Sequence, residues 1–259
     1  MSASLALAHE VQGSGPPLVI LHGLFGSARN WQSVARDLAG RYRVVRVDLR
    51  NHGQSPHAAR MDYAALAADV HTLLTQLALT EVTLLGHSMG GKTAMTLALT
   101  EPARIARLIV VDIAPVAYAD QHTPVIDALL ALPLDAIRRR QEADTLLQAA
   151  IPDASVRLFV LQNLVLEASG ARWRLNLPAL KNGMAALSGG LPVAATARFA
   201  GASGFIRGEH SARVLPAHAA LMRAHFPHSS VHTVAGAGHW PHAEAPAEFT
   251  RALADCLFV

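Results

Sequence analysis

Val82-Thr83-Leu84-Leu85-Gly86-His87-Ser88-Met89-Gly90-Gly91-Lys92-Thr93-Ala94-Met95 is an apolar run that halts at a serine between glycines and resumes with helical spacing. The run reads as a strand, the resumption as a helix, and Gly86-His87-Ser88-Met89-Gly90 as the tight turn between them. In a Gly-x-Ser-x-Gly turn the serine is held in a strained conformation, and the glycines leave room for neighbouring backbone where a Cβ would clash. The Ser88 hydroxyl is thereby lifted into view as a candidate nucleophile. The Met89 N–H, at the start of the helix, is set to face a developing oxyanion. Three fixed positions in five arise easily by chance, so the flanking strand and helix are what make the motif informative.

On the N-terminal side, Leu5 to Val11 alternates as a half-buried edge strand does, and Gly13-Ser14-Gly15-Pro16-Pro17 turns the chain. Leu18-Val19-Ile20-Leu21 is a buried strand ending in His22-Gly23-Leu24-Phe25-Gly26. The loop after such a strand supplies the second oxyanion N–H, placed here on Leu24, with Gly23 allowing close approach and His22 beside it in support. Asn30 to Ala39 has helical period, Arg43 to Asp48 is a strand, and Tyr63 to Leu79 carries Leu66, Val70, Leu73, Leu74 and Leu77 at helical spacing. Asp48 and His52 invite a catalytic reading, but an aspartate at a strand end more often organises its own loop through backbone hydrogen bonds.

On the C-terminal side, Leu108-Ile109-Val110-Val111-Asp112 is a further buried strand, ending in an acid. Strands that are continuous apolar runs alternating with helices imply a parallel sheet covered on both faces. Ligands of such sheets bind at the carboxyl ends of the strands, where His22, Ser88 and Asp112 all fall. From Ile113 to Gly190 the pattern turns helical, over Thr123–Leu132, Leu134–Ala150, Ala154–Leu166 and Leu177–Leu187, with Arg172-Trp173-Arg174-Leu175-Asn176 as an extended piece. The expected organisation is therefore one α/β core, residues 1–114 and 191–259, interrupted by a helical cap at 115–190. Gly204 to Gly208 and Ser230 to Val234 return to strand, Leu215 to Phe226 and Pro246 to Phe258 to helix.

A serine hydroxyl needs a base within reach and a third group to orient that base. His239, in the Gly-rich loop after the last strand, follows the nucleophile as the Ser…acid…His order requires. His242 is its rival, though it stands nearer the closing helix and reads as packing. His239-x-x-His242 and His225-x-x-His228 have no accompanying glutamate or third ligand, so no metal is expected. An acid would ordinarily follow the Phe205–Gly208 strand, yet the third residue after Gly208 is Ser211. That leaves Asp112, which keeps the chain order and lies on the adjacent strand, or Glu209 in the turn; Asp112 is preferred. Ser211 is then a helper to His239 or Asp112, or a helix cap. Lys92 has no evident chemical role and reads as a helix residue whose amine reaches solvent or a nearby carboxylate.

Composition narrows the remaining choices. The 259 residues are 51% hydrophobic, carry a formal charge of +3 and contain a single cysteine, Cys256. No intrachain disulfide is possible, and Cys256 reads as a packed small side chain. The basic residues are scattered except for Arg138-Arg139-Arg140, which reads as a solvated helix face, so no nucleic-acid partner is expected. The first ten residues lack a basic segment and an adequate apolar one, and no uninterrupted apolar span would cross a bilayer; a cytoplasmic protein, monomer or homodimer, is expected.

His22 to Gly26, Asp48 to Gly53, Gly86 to Lys92, Val111 to Pro115, Phe205 to Gly208 and Gly238-His239-Trp240 together resemble the α/β-hydrolase family. More narrowly, the chain is similar to the small bacterial esterases with a Gly-His-Ser-Met-Gly-Gly-Lys elbow and their mitochondrial relatives; the cap resembles them only through Arg172-Trp173-Arg174. The resemblance implies an esterase or thioesterase without cofactor, with its acid where Asp112 stands and a serine where Ser211 stands. Carbon–carbon bond hydrolysis and perhydrolysis use the same residues, and a binding module on this fold is a third reading; such modules usually lack the serine or histidine.

Overall fold

The computed structural model describes residues 4–258; Met1–Ala3 and Val259, assigned above to the core, lie outside them. The strands are β1 (His9–Gln12), β2 (Pro17–Leu21), β3 (Arg43–Val47), β4 (Val82–His87), β5 (Ile105–Val111), β6 (Leu164–Glu167), β7 (Gly170–Trp173), β8 (Ala202–Gly208) and β9 (Ser229–Val234). The helices are α1 (Gln32–Leu38), α2 (Tyr63–Gln76), α3 (Met89–Thr100), α4 (Thr123–Leu130), α5 (Arg140–Leu147), α6 (Ala154–Leu161), α7 (Leu177–Ser188), α8 (Ala219–His225), α9 (Pro241–Glu244) and α10 (Pro246–Phe258).

Seven strands form one sheet in the order β1-β3-β2-β4-β5-β8-β9. Only β1 runs antiparallel, against β3; the others are parallel. The central strands are uniformly apolar because both faces are covered. One face holds Val19, Leu84, Leu108 and Phe205 with α2 and α3 residues such as Leu66 and Met95. The other holds Ile20, Leu85, Ile109 and Ile206 with Trp31 and the α10 residues Phe249 and Leu253. Cys256 belongs to this second layer, buried against Gly204, where an added Cβ would meet its Sγ at 2.4 Å.

Between β5 and β8 lie α4 to α7 and the antiparallel pair β6–β7. Two expectations fail here. The helix expected over Ala154–Leu166 ends at Leu161, and Leu164–Glu167 pairs with Gly170–Trp173 as a hairpin whose turn needs Gly170 at φ +150, a conformation open to glycine. Nor is Leu134–Ala150 one helix: a short 3₁₀ turn at Leu134–Ala136 gives way to extended Ile137 before α5 begins. Arg140 of the basic triplet is anchored, donating to the carbonyls of Leu161 and Leu164 beneath that hairpin. The segment between β5 and β8 shares the apolar interior of the sheet's one face through Ile126, Leu129, Leu180 and Met184. Among the described residues no helix is long and apolar enough to cross a membrane.

The loop after β3 is locked to α2 by a buried ion pair. Arg50 holds both carboxylate oxygens of Asp69, at 2.6 and 2.7 Å, and also donates to the Arg60 and Ala65 carbonyls. With Asp69 replaced by alanine, the Arg50 guanidinium stays buried without a counter-charge. We expect Asp69→Ala to lose roughly 3–5 kcal/mol of stability, read as a lowered midpoint in urea; a midpoint equal to the parent's would contradict the role given to this pair.

Candidate active site

Three main-chain constraints aim the site. At the end of β4, Ser88 adopts φ 51 and ψ −116, and its N–H donates to the Val111 carbonyl at 2.9 Å. A non-glycine residue there is strained, and the strain is held by the packing of β4 against α3. A Cβ on Gly86 would lie 2.2 Å from the Gly90 carbonyl oxygen, and one on Gly90 2.5 Å from those of Leu21 and His22. Glycine is therefore required on both sides of Ser88 by contact with backbone.

Asp112, at the end of β5, also has positive φ, 51, with its N–H donating to the Ile206 carbonyl. This turn directs its carboxylate along the carboxyl edge of the sheet. Oδ2 lies 2.7 Å from His239 Nδ1 and accepts from Ser211 Oγ at 2.5 Å; Oδ1 accepts from the Gly208 N–H at 3.0 Å. His239 Nε2 in turn lies 3.1 Å from Ser88 Oγ. The structure thus brings Ser88, His239, Asp112 and Ser211 into one hydrogen-bonded line. Glu209, the alternative acid, is elsewhere: it accepts from the Gly236 N–H on an exposed turn.

The Gly23 loop comes close enough that a Cβ on Gly23 would lie 2.8 Å from His87 Nδ1 and 3.3 Å from the Ser88 Cβ. In this loop the Phe25 N–H donates to His52 Nε2 and that of Gly26 to the Gly23 carbonyl. Among the described residues the Leu24 N–H between them has no protein acceptor. The Met89 N–H, as the first of α3, has no intrahelical acceptor either. Both residues line a pocket with Ser88.

Neutral histidines hold this arrangement. His22 donates from Nδ1 to the Gly23 carbonyl and accepts the Leu49 N–H at Nε2; His52 donates to the Arg50 carbonyl while accepting from Phe25. Burial depresses His22 to about 4 and His52 to about 3, the charge-free form that both acceptor roles require. Asp48 accepts from the Ala28 and Gln54 N–H groups, organising the same loop, as its place at a strand end suggested. His242 stacks on Trp31 with ring centres 4.2 Å apart and lines neither pocket at Ser88.

Sequence reading missed two supports of His239. His87, inside the elbow, donates from Nε2 to the His239 carbonyl at 2.8 Å. Glu244 accepts the N–H groups of Gly238 and Trp240, on either side of His239. The glutamate six residues past Gly238, at the end of α9, is the one sequence signal for this clamp. Lys92 corrects an expectation: it is 1% exposed and reaches neither solvent nor a carboxylate. Its Nζ donates to the Gly189 carbonyl at 2.5 Å and stands over the rings of Tyr118 and Tyr63, 4.9 and 5.5 Å from their centres. Desolvation, with Arg213 nearby, lowers its pKa to about 8.

Two arms meet at Ser88. A wide one of about 390 Å³ runs past His239 and Trp240 to Phe25, Val125, Val156 and Phe159. A narrow one of about 40 Å³ passes Met89 toward Lys92, Tyr118 and Met184. Leu24, His122 and Arg213 border both.

A parallel sheet with a strained serine after its central strand, an imidazole on the serine and a carboxylate on the imidazole defines a hydrolase of the α/β type. The chain belongs to that family: the α/β-hydrolase fold model matches residues 16–246. It is 39% identical to the mouse (Mus musculus) sn-1-specific diacylglycerol lipase ABHD11 over 93% of this chain and 81% of that protein. It is also 35% identical to esterase YbfF of Escherichia coli, over 93% of each chain. Among solved structures, a marine microorganism esterase superposes with a TM-score of 0.94 at 35% identity, over 98% of this chain and 100% of the other.

The buried histidines make stability depend on pH. Burial lowers His22, His122 and His242 to about 4, His52 to about 3, and His87 well below 6.5. In the unfolded chain each titrates near 6.5, so below that pH the unfolded state takes up protons that the native state refuses. Their contribution is intact above about pH 6.5 and is progressively lost as pH falls toward about 4. Urea midpoints at pH 7.5, 6.0 and 5.0 should fall in that order; equal midpoints would contradict neutral burial.

Proposed function

We propose that this hydrolase cleaves carboxylic esters and thioesters of small to medium acyl groups through a Ser88 acyl-enzyme. The observation that carries the reading is the line Ser88 Oγ, His239, Asp112, with separations of 3.1 and 2.7 Å. Ser88 Oγ attacks the carbonyl carbon as His239 Nε2 takes its proton, and the Leu24 and Met89 N–H groups receive the charge on the carbonyl oxygen. The tetrahedral adduct collapses with cleavage of the C–O or C–S bond, and His239 returns the proton to the leaving alcohol or thiol. Water then repeats the sequence on the acyl-enzyme, releasing the acid and restoring Ser88.

Asp112 keeps the imidazole in the tautomer that presents a free Nε2 to the serine and stabilises the imidazolium as it forms. Ser211 and the Gly208 N–H also donate to that buried carboxylate, which fixes its orientation. The leaving group departs along the wide arm, because His239 lines that arm and must reach the departing atom. The relatives' names, a lipase and two esterases, support ester cleavage as the chemistry. Nothing in the site favours carbon–carbon cleavage or perhydrolysis over it.

Variants rank the residues. Ser88→Ala should lower kcat on a short-chain ester by about 10⁶-fold, the scale of triad knockouts. Asp112→Asn should lose about 10⁴-fold, while Glu209→Gln keeps the parent rate. Steady-state assays on ethyl and aryl esters and acyl-thioesters measure all three. Turnover by Ser88→Ala, or the reverse ranking of the two acids, would refute the scheme.

A further inference from the structure

The narrow arm contains two cations and no counter-ion. Lys92 follows Ser88 by one helical turn, its N–H donating to the Ser88 carbonyl, and it is almost wholly buried. Among the described residues no carboxylate pairs with its ammonium, whose neighbours are one carbonyl oxygen and two tyrosine faces. The Tyr63 and Tyr118 hydroxyls are turned away, donating to the Leu187 and Arg213 carbonyls. Arg213 borders the same arm; its guanidinium lies 5.3 Å from the centre of the Tyr118 ring and donates to the neutral Gln121 side chain. No ion pair forms there among the described residues either. Burying an ammonium with only neutral partners beside a second cation is costly, and the cost is relieved by an anion.

The direction of the reaction says which part of the substrate that anion belongs to. The leaving group must lie beside His239, which lines the wide arm, so the acyl chain enters the narrow arm past Met89. At about 40 Å³ that arm holds only a few heavy atoms beyond the carbonyl, since one water needs roughly 10–15 Å³.

Building on the acyl-enzyme reading above, we infer that the acyl group ends in a carboxylate held between Lys92 and Arg213, so that monoesters of short dicarboxylic acids are preferred substrates. Tyr63 and Tyr118 hold the Lys92 ammonium in place through their ring faces when the arm is empty. Lys92 and Arg213 are specificity residues, acting on the acyl tail and not on the reacting bond.

The test compares monoethyl succinate with ethyl 4-methylpentanoate, in which a branched pair of methyls replaces the carboxylate. Wild-type protein should favour the anionic ester in kcat/KM by about tenfold or more, chiefly through KM, the scale of a charge-assisted hydrogen bond. Lys92→Met should erase most of that ratio and Arg213→Gln part of it, and free succinate should compete with the neutral ester in the wild type and much more weakly in either variant. Should Lys92→Met fail to fold, Arg213→Gln and succinate competition decide. A wild type that prefers the neutral ester, or a ratio unmoved by both substitutions, would overturn the inference while leaving ester hydrolysis standing. Cleavage of neither ester by the wild type would overturn the esterase reading and this one together.

Discussion

The close contact of β4 with the first turn of α3 is the constraint on which the site depends. It exists because Gly86 and Gly90 carry no Cβ, so carbonyls of Gly90, Leu21 and His22 occupy the space. The turn between them forces Ser88 to φ 51, a conformation that only surrounding packing makes tenable. From that one strained residue follow the exposure of Oγ, the free N–H of Met89 and the approach of the Gly23 loop from the neighbouring strand. The sheet supplies the rest: β5, next to β4, ends in Asp112, and β9 leads into the loop of His239.

The carboxylate that faces His239 stands at the end of β5, and this position decides how it is held. Asp112 is fully buried and turned by its own positive φ, and it receives the Ser211 hydroxyl and the Gly208 N–H from the strand where an acid would ordinarily stand. The β8 end thus acts as a hydrogen-bond donor platform to a carboxylate supplied from next door. His87 and Glu244 fix the His239 loop from two further sides. The result is a set of side chains with few free torsions, the condition for an electrostatically preorganised site.

Much of this was legible in the chain before any coordinates. The core strands announce themselves as continuous apolar runs, and Ser88, His239, Asp112 and Leu24 each sit at the end of a run or in the glycine-rich turn after it, where local pattern suffices. What could not be read depends on contacts between distant segments. Lys92 looks like a helix-surface lysine until Gly189, 97 residues on, is folded over it. The β6–β7 hairpin has the same apolar residues as a helix would, and only Gly170 and the tertiary setting decide against one. The support from His87 needs a carbonyl 152 positions away.

The central claim is that Ser88 is a nucleophile made reactive by His239 and Asp112. Mass-spectrometric mapping after brief exposure to a fluorophosphonate addresses it directly, because the reagent captures an activated hydroxyl without needing the natural substrate. The account predicts a single adduct on the peptide carrying Ser88, formed far more slowly in Asp112→Asn. An unlabelled protein, a label on another residue, or equal labelling rates in the Asp112→Asn variant would contradict it.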